Sequence, residues 1–387
     1  MTAIYYLTKS NKFTRGTKAE LLTMKRLLQW IFKKPITRLA EKISSSPKKD
    51  NVFSSLSALL ENVTRNKPDA GIVVPFDLQK GKFIILSDQH KGARDAADDF
   101  RLAEKNYLAA LDYYFINGFT FISLGDCEEL WENKPDIVIE KNGPEWQAET
   151  RFLQHNRYYR VYGNHDLHWK YDFPRNKYLE PVFGKNLHVY EGLLLKTTWN
   201  DKEYSIFLTH GHQGDKKSDG NAFSTWFVAA VWTPLQRFLE ISVNSTSDSF
   251  ELVDKHNIMM YEWSSTQNNL VFISGHTHKP VFASLDHIER LNKQLEKARQ
   301  QNDNQLAQNL EAELEHRKAE YAGKQFHKTM VNPSYFNSGC CCFSDGDITG
   351  IEIDGDNIML IKWKEENGTV QRTILEQCPL SYIFEQL

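Results

Sequence analysis

This sequence has few cysteines, no long apolar run and almost no net charge, and each shortage removes a class of protein. Five cysteines in 387 residues, three of them adjacent at Cys340, Cys341 and Cys342, make a poor disulfide framework. Their spacing resembles no cysteine-based zinc site. No uncharged run of 18 apolar residues occurs, so no segment reads as a transmembrane helix. The N-terminal stretch lacks the apolar core of a secretory signal, because "LLTMKRLLQWIFKKP" is broken by charge and turns amphipathic. A cytoplasmic, reducing location is the expectation. What is present, 41% hydrophobic and 25% charged residues, is the composition of a folded chain and not of a disordered one.

The formal charge of -3 conceals a division. Residues 1–50 carry twelve Lys or Arg against Glu20, Glu41 and Asp50, a net of +9 that leaves -12 on the rest. A basic arm on an acidic body suits anionic lipid, nucleic acid or the body itself. Residues 18–44 predict a helix whose apolar face holds Leu21, Leu22, Met24, Leu27, Leu28, Ile31 and Phe32, ended or kinked at Pro35. It reads either as a helix pair packed on the body or as a peripheral anchor at the inner membrane surface. Beyond Trp30 and Phe32 the arm lacks interleaved aromatics, so nucleic acid is not the expected partner.

From Lys82 the pattern changes. "KFIILSD" is a buried-strand run, followed by a helical stretch near 96–115. "FTFISLGD", "RYYRVYGN", "EYSIFLTHG" and "NNLVFISGHTHK" repeat the device of an apolar run that stops and delivers polar residues. Such runs separated by helices predict a layered α/β fold, with a site beyond the carboxyl ends of the strands. Residues 221–243, rich in Phe and Trp, read as a buried helix pair or as an apolar cap for an acyl-bearing substrate. Residues 284–324 predict an inserted helical hairpin broken near Asp303, with Leu285, Ile288, Leu291 and Leu295 on one stripe and Leu306, Leu310 and Leu314 on the other. That hairpin is scaffolding or a surface for a protein partner. "ITGIEIDGDNIMLIKW" predicts a β-hairpin turning at Asp354-Gly355. The expected division is a basic helical extension over 1–75 and one large domain over 76–387.

The strand-end residues form a constellation: Asp88 and His90; Asp126; Asn164, His165 and Asp166; His210 and His212; His276 and His278. Asp88 and His90 stand two apart, as do His276 and His278, so an extended strand would set each pair on one face. Oxygen and imidazole donors without thiolates suit Mn, Fe, Zn, Co or Ni. They outnumber the needs of one ion. Two ions sharing a carboxylate would use them all, and such a pair activates water against a tetrahedral phosphorus. Cys127, beside Asp126, reads as a small buried packing residue.

With "DQH" at 88–90, "GD" at 125–126, "GNHD" at 163–166, "HG" at 210–211 and "GHTH" at 275–278, the chain resembles the calcineurin-like metallophosphoesterases over roughly residues 82 to 365. The resemblance implies a four-layer α/β/β/α sandwich with the site at one end. It implies two divalent transition-metal ions, Mn²⁺ first and Fe, Zn, Co or Ni as alternatives. One ion would be held by Asp88, His90 and His278, the other by Asn164, His210 and His276, with Asp126 bridging. His165 would protonate the leaving oxygen or steady the phosphoryl group, oriented by Asp166. The expected substrate is a phosphoester whose identity stays open. "GDCEELWE" and "GHTHKP" also look like the branch of UDP-2,3-diacylglucosamine pyrophosphatases, which implies a lipid-linked nucleotide. That branch commonly carries Arg where His165 stands. A metal-free scaffold is the alternative of a different class.

Overall fold

The structure, a computed structural model, describes residues 48–214 except 69, 96 and 97, residues 250–284, parts of 292–314, and residues 332–387. The helix expected at 18–44 and the apolar segment at 221–243 lie outside the described residues.

The chain enters through helix α1 (Lys49–Thr64) and strands β1 (Gly71–Pro75) and β2 (Lys82–Leu86). Helix α2 (Phe100–Ile116), β3 (Thr120–Leu124), α3 (Pro135–Lys141), α4 (Gly143–Gln154) and β4 (Tyr158–Val161) follow. Beyond short helical turns come β5 (Val189–Tyr190), β6 (Gly192–Trp199), β7 (Lys202–Thr209), α5 (Phe250–Ser264) and β8 (Leu270–Ser274). The chain closes with β9 (Tyr335–Asn337), β10 (Ile348–Asp354), β11 (Asn357–Glu366), β12 (Thr369–Pro379) and α6 (Leu380–Gln386).

The strands make two sheets, a seven-stranded one ordered β12-β11-β10-β2-β3-β4-β5 and a five-stranded one ordered β1-β6-β7-β8-β9. Their facing sides share one core. Phe83 and Ile85 of β2, Ile122 and Leu124 of β3 and Val161 of β4 meet Leu193, Leu195, Ile206, Leu208, Val271 and Ile273. Alternate residues of the same strands face outward. Ile84, Leu86 and Phe121 pack with Phe100, Tyr107 and Leu111 of α2 and Phe152 of α4. Leu194, Phe207 and Phe272 pack with Val52, Leu56 and Leu59 of α1 and Met260 and Trp263 of α5. A run such as Phe83-Ile84-Ile85-Leu86 is apolar throughout because both its faces are covered. This is the expected four-layer α/β/β/α sandwich.

One expectation is corrected and one is met. The boundary at residue 75 does not hold, since α1 and β1 (which pairs with β6) are parts of the sandwich. The C-terminal hairpin does turn at Gly355, where φ is +58°, but β12 extends it as a third antiparallel strand along β11. Around Asp303, Leu295 and Ala298 pack with Ala307, Leu310 and Leu314, as a hairpin broken there requires, while Leu306 is exposed. Residues 285–291 and 315–324 of that segment lie outside the described residues. Among the described residues no helix is long and apolar enough to cross a membrane.

Candidate metal centre

Strands β2, β3 and β4 run parallel, β7 and β8 run parallel in the other sheet, and the candidate residues all follow their carboxyl ends. The convergence is not strand alternation. β2 stops at Leu86 and β8 at Ser274, so Asp88, His90, His276 and His278 lie beyond the strands. All four, with Asp126, adopt positive φ between 50° and 71°. That left-handed backbone is uncommon outside glycine and gathers at functional sites. It curls each loop so that side chains two apart turn to one point. Two motif glycines allow the close approach. A side chain at Gly163 would collide with the Asp126 carboxylate, and one at Gly275 with Ser87 and Asp88.

The loops bring the expected residues together. Donor atoms of Asp126, His210 and His276 lie within 4.8 Å of one another, and so do those of His90, Asp126 and His165, so Asp126 belongs to both groups. His210 Nε2 is 3.0 Å from Asp126 Oδ2 and 3.9 Å from Asp88 Oδ1. His278 Nε2 is 3.3 Å from Asp88 Oδ1 and 3.2 Å from His90 Nε2. The Asp88 carboxylate also accepts from Ser87 Oγ and from the His276 amide.

Asp166 does not orient His165. Its carboxylate is turned inward, accepting from the amides of Gly163 (2.6 Å) and Cys127 (2.9 Å), with Arg160 3.8 Å away. Asp166 therefore shapes the turn that presents Asn164 and His165. The partner of His165 is Glu129, whose Oε2 lies 2.6 Å from His165 Nδ1 and 3.0 Å from His90 Nδ1. Trp131 stacks on the His165 ring at 3.9 Å and 19° and donates Nε1–H to the Asn164 carbonyl at 2.9 Å. Glu129 and Trp131 were not expected. They stand three and five residues after Asp126, but nothing in that spacing says which side of the loop they take. Cys127 is buried with Sγ 2.9 Å from Ser123 Oγ, as a packing residue should be. His212 is buried beside His210, with ring centroids 5.5 Å apart.

The electrostatics set buried carboxylates against buried imidazoles. Burial works against charge on Asp126, yet the His210 and His165 imidazoles hold its carboxyl well below the usual range. Burial pushes His165 and His210 down, and the opposing carboxylates, Glu129 for the first and Asp126 for the second, raise each to about 9. His278 rises against burial to about 10 beside Cys340 and Asp88. His276, by contrast, is driven well below the usual range by burial and by His256 and His210. Asn164 Oδ1 and His276 Nε2 are buried and make no hydrogen bond, while His210 Nε2 faces the Asp126 carboxylate at 3.0 Å. Leaving such atoms unsatisfied costs about 1–3 kcal/mol each. These are the three donors that the motif resemblance puts on one ion, so the residues present fit the group.

The calcineurin-like phosphoesterase family model matches residues 81–280, and the chain belongs to that family. With its cluster of candidate ligands the protein is a metallophosphoesterase. It is similar to vacuolar protein sorting 29 of Cryptosporidium parvum at 11% identity, covering 77% of this chain and 98% of that one with a TM-score of 0.30. It is similar to a dimetal phosphatase of Danio rerio at 8% identity, covering 77% of this chain and 100% of that one with a TM-score of 0.34. No curated protein matches the chain.

Proposed function

We propose that the protein hydrolyses a phosphoester at a binuclear centre in which Asp126 is the shared ligand. The observation that carries the reading is the membership of Asp126 in two donor groups, one with His210 and His276 and the other with His90 and His165. Asp88, His90 and His278 would hold one ion and Asn164, His210 and His276 the other. Mn²⁺ is the first choice for this nitrogen and oxygen set, and Fe, Zn, Co or Ni also suit it. When bound, the ions supply Lewis acidity, which lowers the pKa of water and neutralises charge on phosphoryl oxygens.

The remaining work falls to side chains. Glu129 holds His165 at Nδ1, which fixes the ring and leaves Nε2 to meet the phosphoryl group or to protonate the leaving oxygen. Trp131 covers one face of that ring, restricting its rotation and keeping water from that side. Asp166 secures the loop through two backbone amides. The test is hydrolysis of bis-p-nitrophenyl phosphate and p-nitrophenyl phosphate with added Mn²⁺. Activity lost in His165→Ala with the metal retained supports the assignment, and unchanged activity in that variant contradicts it.

A second reading, cleavage of the pyrophosphate of a nucleotide-linked lipid such as UDP-2,3-diacylglucosamine, is supported by one surface feature. Tyr171 (43% exposed) and Phe173 (76% exposed) stand beside exposed Lys170, a few residues after the 163–166 loop. Exposed aromatics beside a cation suit acyl chains or peripheral contact with a membrane. His165 in place of the Arg of that branch weighs for the broader reading. Turnover of the lipid nucleotide that falls in Phe173→Ala, while p-nitrophenyl ester hydrolysis does not, favours the narrower one.

A further inference from the structure

The reaction leaves the cysteine triplet without a task, yet the fold fastens it to the centre. The Cys341 amide donates to the Asp88 carbonyl at 3.1 Å, and Ser338 Oγ lies 2.7 Å from Ser87 Oγ. Those contacts bind the 338–342 loop to the loop carrying Asp88. Cys340 and Cys341 are buried, whereas Cys342 is partly exposed and places Sγ 4.0 Å from His278 Nδ1.

His90 and His210 share an arrangement that gives this contact meaning. His90 turns Nδ1 to Glu129 Oε2 at 3.0 Å, and its Nε2 lies 3.8 Å from Asp126 Oδ2. His210 donates Nδ1–H to the Leu124 carbonyl at 2.9 Å and turns Nε2 to Asp126. A histidine that binds metal through one nitrogen is normally held by an acceptor at the other, which fixes its tautomer and raises its basicity. His278 follows the pattern, with Nε2 toward Asp88 and His90, but the atom at its Nδ1 is sulfur.

We propose that Cys342 is a positioning residue for His278, its sulfur accepting the Nδ1–H so that the Nε2 lone pair is held toward the ion shared with Asp88 and His90. The proposal rests on the binuclear reading above. A thiol is a weak acceptor compared with a carboxylate or a carbonyl. This makes the His278 side the looser of the two, and its ion the one that exchanges first.

The test is a titration of the metal-free full chain with Co²⁺, following the visible d–d bands and the binding isotherm, for wild type, Cys342→Ala and Cys342→Ser. Cys342 is partly exposed, so neither change threatens the core. The expected result is that Cys342→Ala weakens one of the two binding steps by about 10–100-fold and spares the other. Cys342→Ser, which restores an acceptor, should recover the lost affinity. Wild-type affinity in Cys342→Ala overturns the proposal, as does an equal loss in both variants. A sulfur-to-cobalt charge-transfer band in the wild type, absent from Cys342→Ser, also overturns it by showing that the thiolate is itself a ligand. Cobalt binding at neither step would sink the binuclear reading and the proposal together, whereas two intact steps in Cys342→Ala would sink the proposal alone.

Discussion

Two buried polar clusters grow from the same pair of loops and end in opposite states. Lys91 follows His90, Glu128 precedes Glu129, and a β-bridge between Lys91 and Glu128 joins the loops. On one side Lys91 Nζ lies 2.6 Å from Glu149 and 3.5 Å from Glu128, and Arg160 bonds to Glu128. Tyr107 (2.9 Å) and Tyr158 (2.7 Å) donate to Glu149, and Trp169 (2.6 Å) to Glu128. Two cations meet two carboxylates, and all four are fully buried. On the other side stand Asp88, Asp126 and Glu129 among the imidazoles of the centre, and Asn164 Oδ1 and His276 Nε2 make no hydrogen bond. The first cluster pairs each cation with a carboxylate and holds the loops in place, although Arg160 Nε and Nη1 and Glu128 Oε1 make no hydrogen bond. The second gathers the donor atoms that could hold metal ions.

The comparison breaks most visibly in the paired cluster. Lys91→Met strands Glu149 and Glu128 in the interior and should cost about 3–5 kcal/mol in urea denaturation of the metal-free protein. The double change Lys91→Met with Glu149→Gln should recover part of that loss. A single change costing less than about 1 kcal/mol would mean that the cluster does not hold the loops.

Glu129 belongs to the second cluster, and its change should act on chemistry more than on stability. Glu129→Gln should lower turnover by about 10–100-fold, because His165 and His90 lose a charged partner. Its denaturation midpoint should move far less than that of Lys91→Met. Equal and large stability losses in both variants would erase the distinction between the clusters.

The pH dependence has opposite signs with and without metal. His165 and His210 stand at about 9 and His278 at about 10 in the metal-free fold, above the ordinary value near 6.5. Their contribution to stability is complete below about 6.5 and fades as pH rises through 9 to 10. Ligands must be deprotonated, so apparent metal affinity should climb over the same window. Melting curves of chelated and Mn²⁺-loaded protein between pH 7 and pH 10 should therefore diverge with rising pH. Parallel curves would show that these imidazoles do not meet the metal. The smallest effect belongs to the surface. Lys105 pairs with Glu365 at 2.6 Å with both side chains exposed, and Lys105→Ala should change stability by about 0–1 kcal/mol.

Apolar runs ending in polar residues were enough to read a layered α/β fold, because Phe83-Ile84-Ile85-Leu86 needs cover on both faces, while the number of layers came from the motif resemblance. Asp88, Asp126 and the histidines of the centre were legible for a related reason, since each follows a strand terminus. What the pattern misassigned was set by backbone conformation. Asp88 and His90 converge through left-handed φ and not through an extended strand, a property that residue spacing does not carry. Asp166 adjoins His165 in the chain but bonds backward to Gly163, while Glu129 reaches His165 from another loop. Contacts between loops depend on which way each loop curls. The third strand, β12, was missed because it lies at the sheet edge and its polar residues, Gln371, Arg372, Glu376 and Gln377, leave it neither a continuous apolar run nor a strict alternation.

The most direct test of the central claim is metal content of the purified full chain beside hydrolysis of bis-p-nitrophenyl phosphate and p-nitrophenyl phosphate, with Asp126→Ala as control. The shared-ligand reading predicts about two ions per chain, turnover that depends on them, and loss of both in the control. Wild-type protein that takes up no transition metal and stays inert with added Mn²⁺ would contradict it.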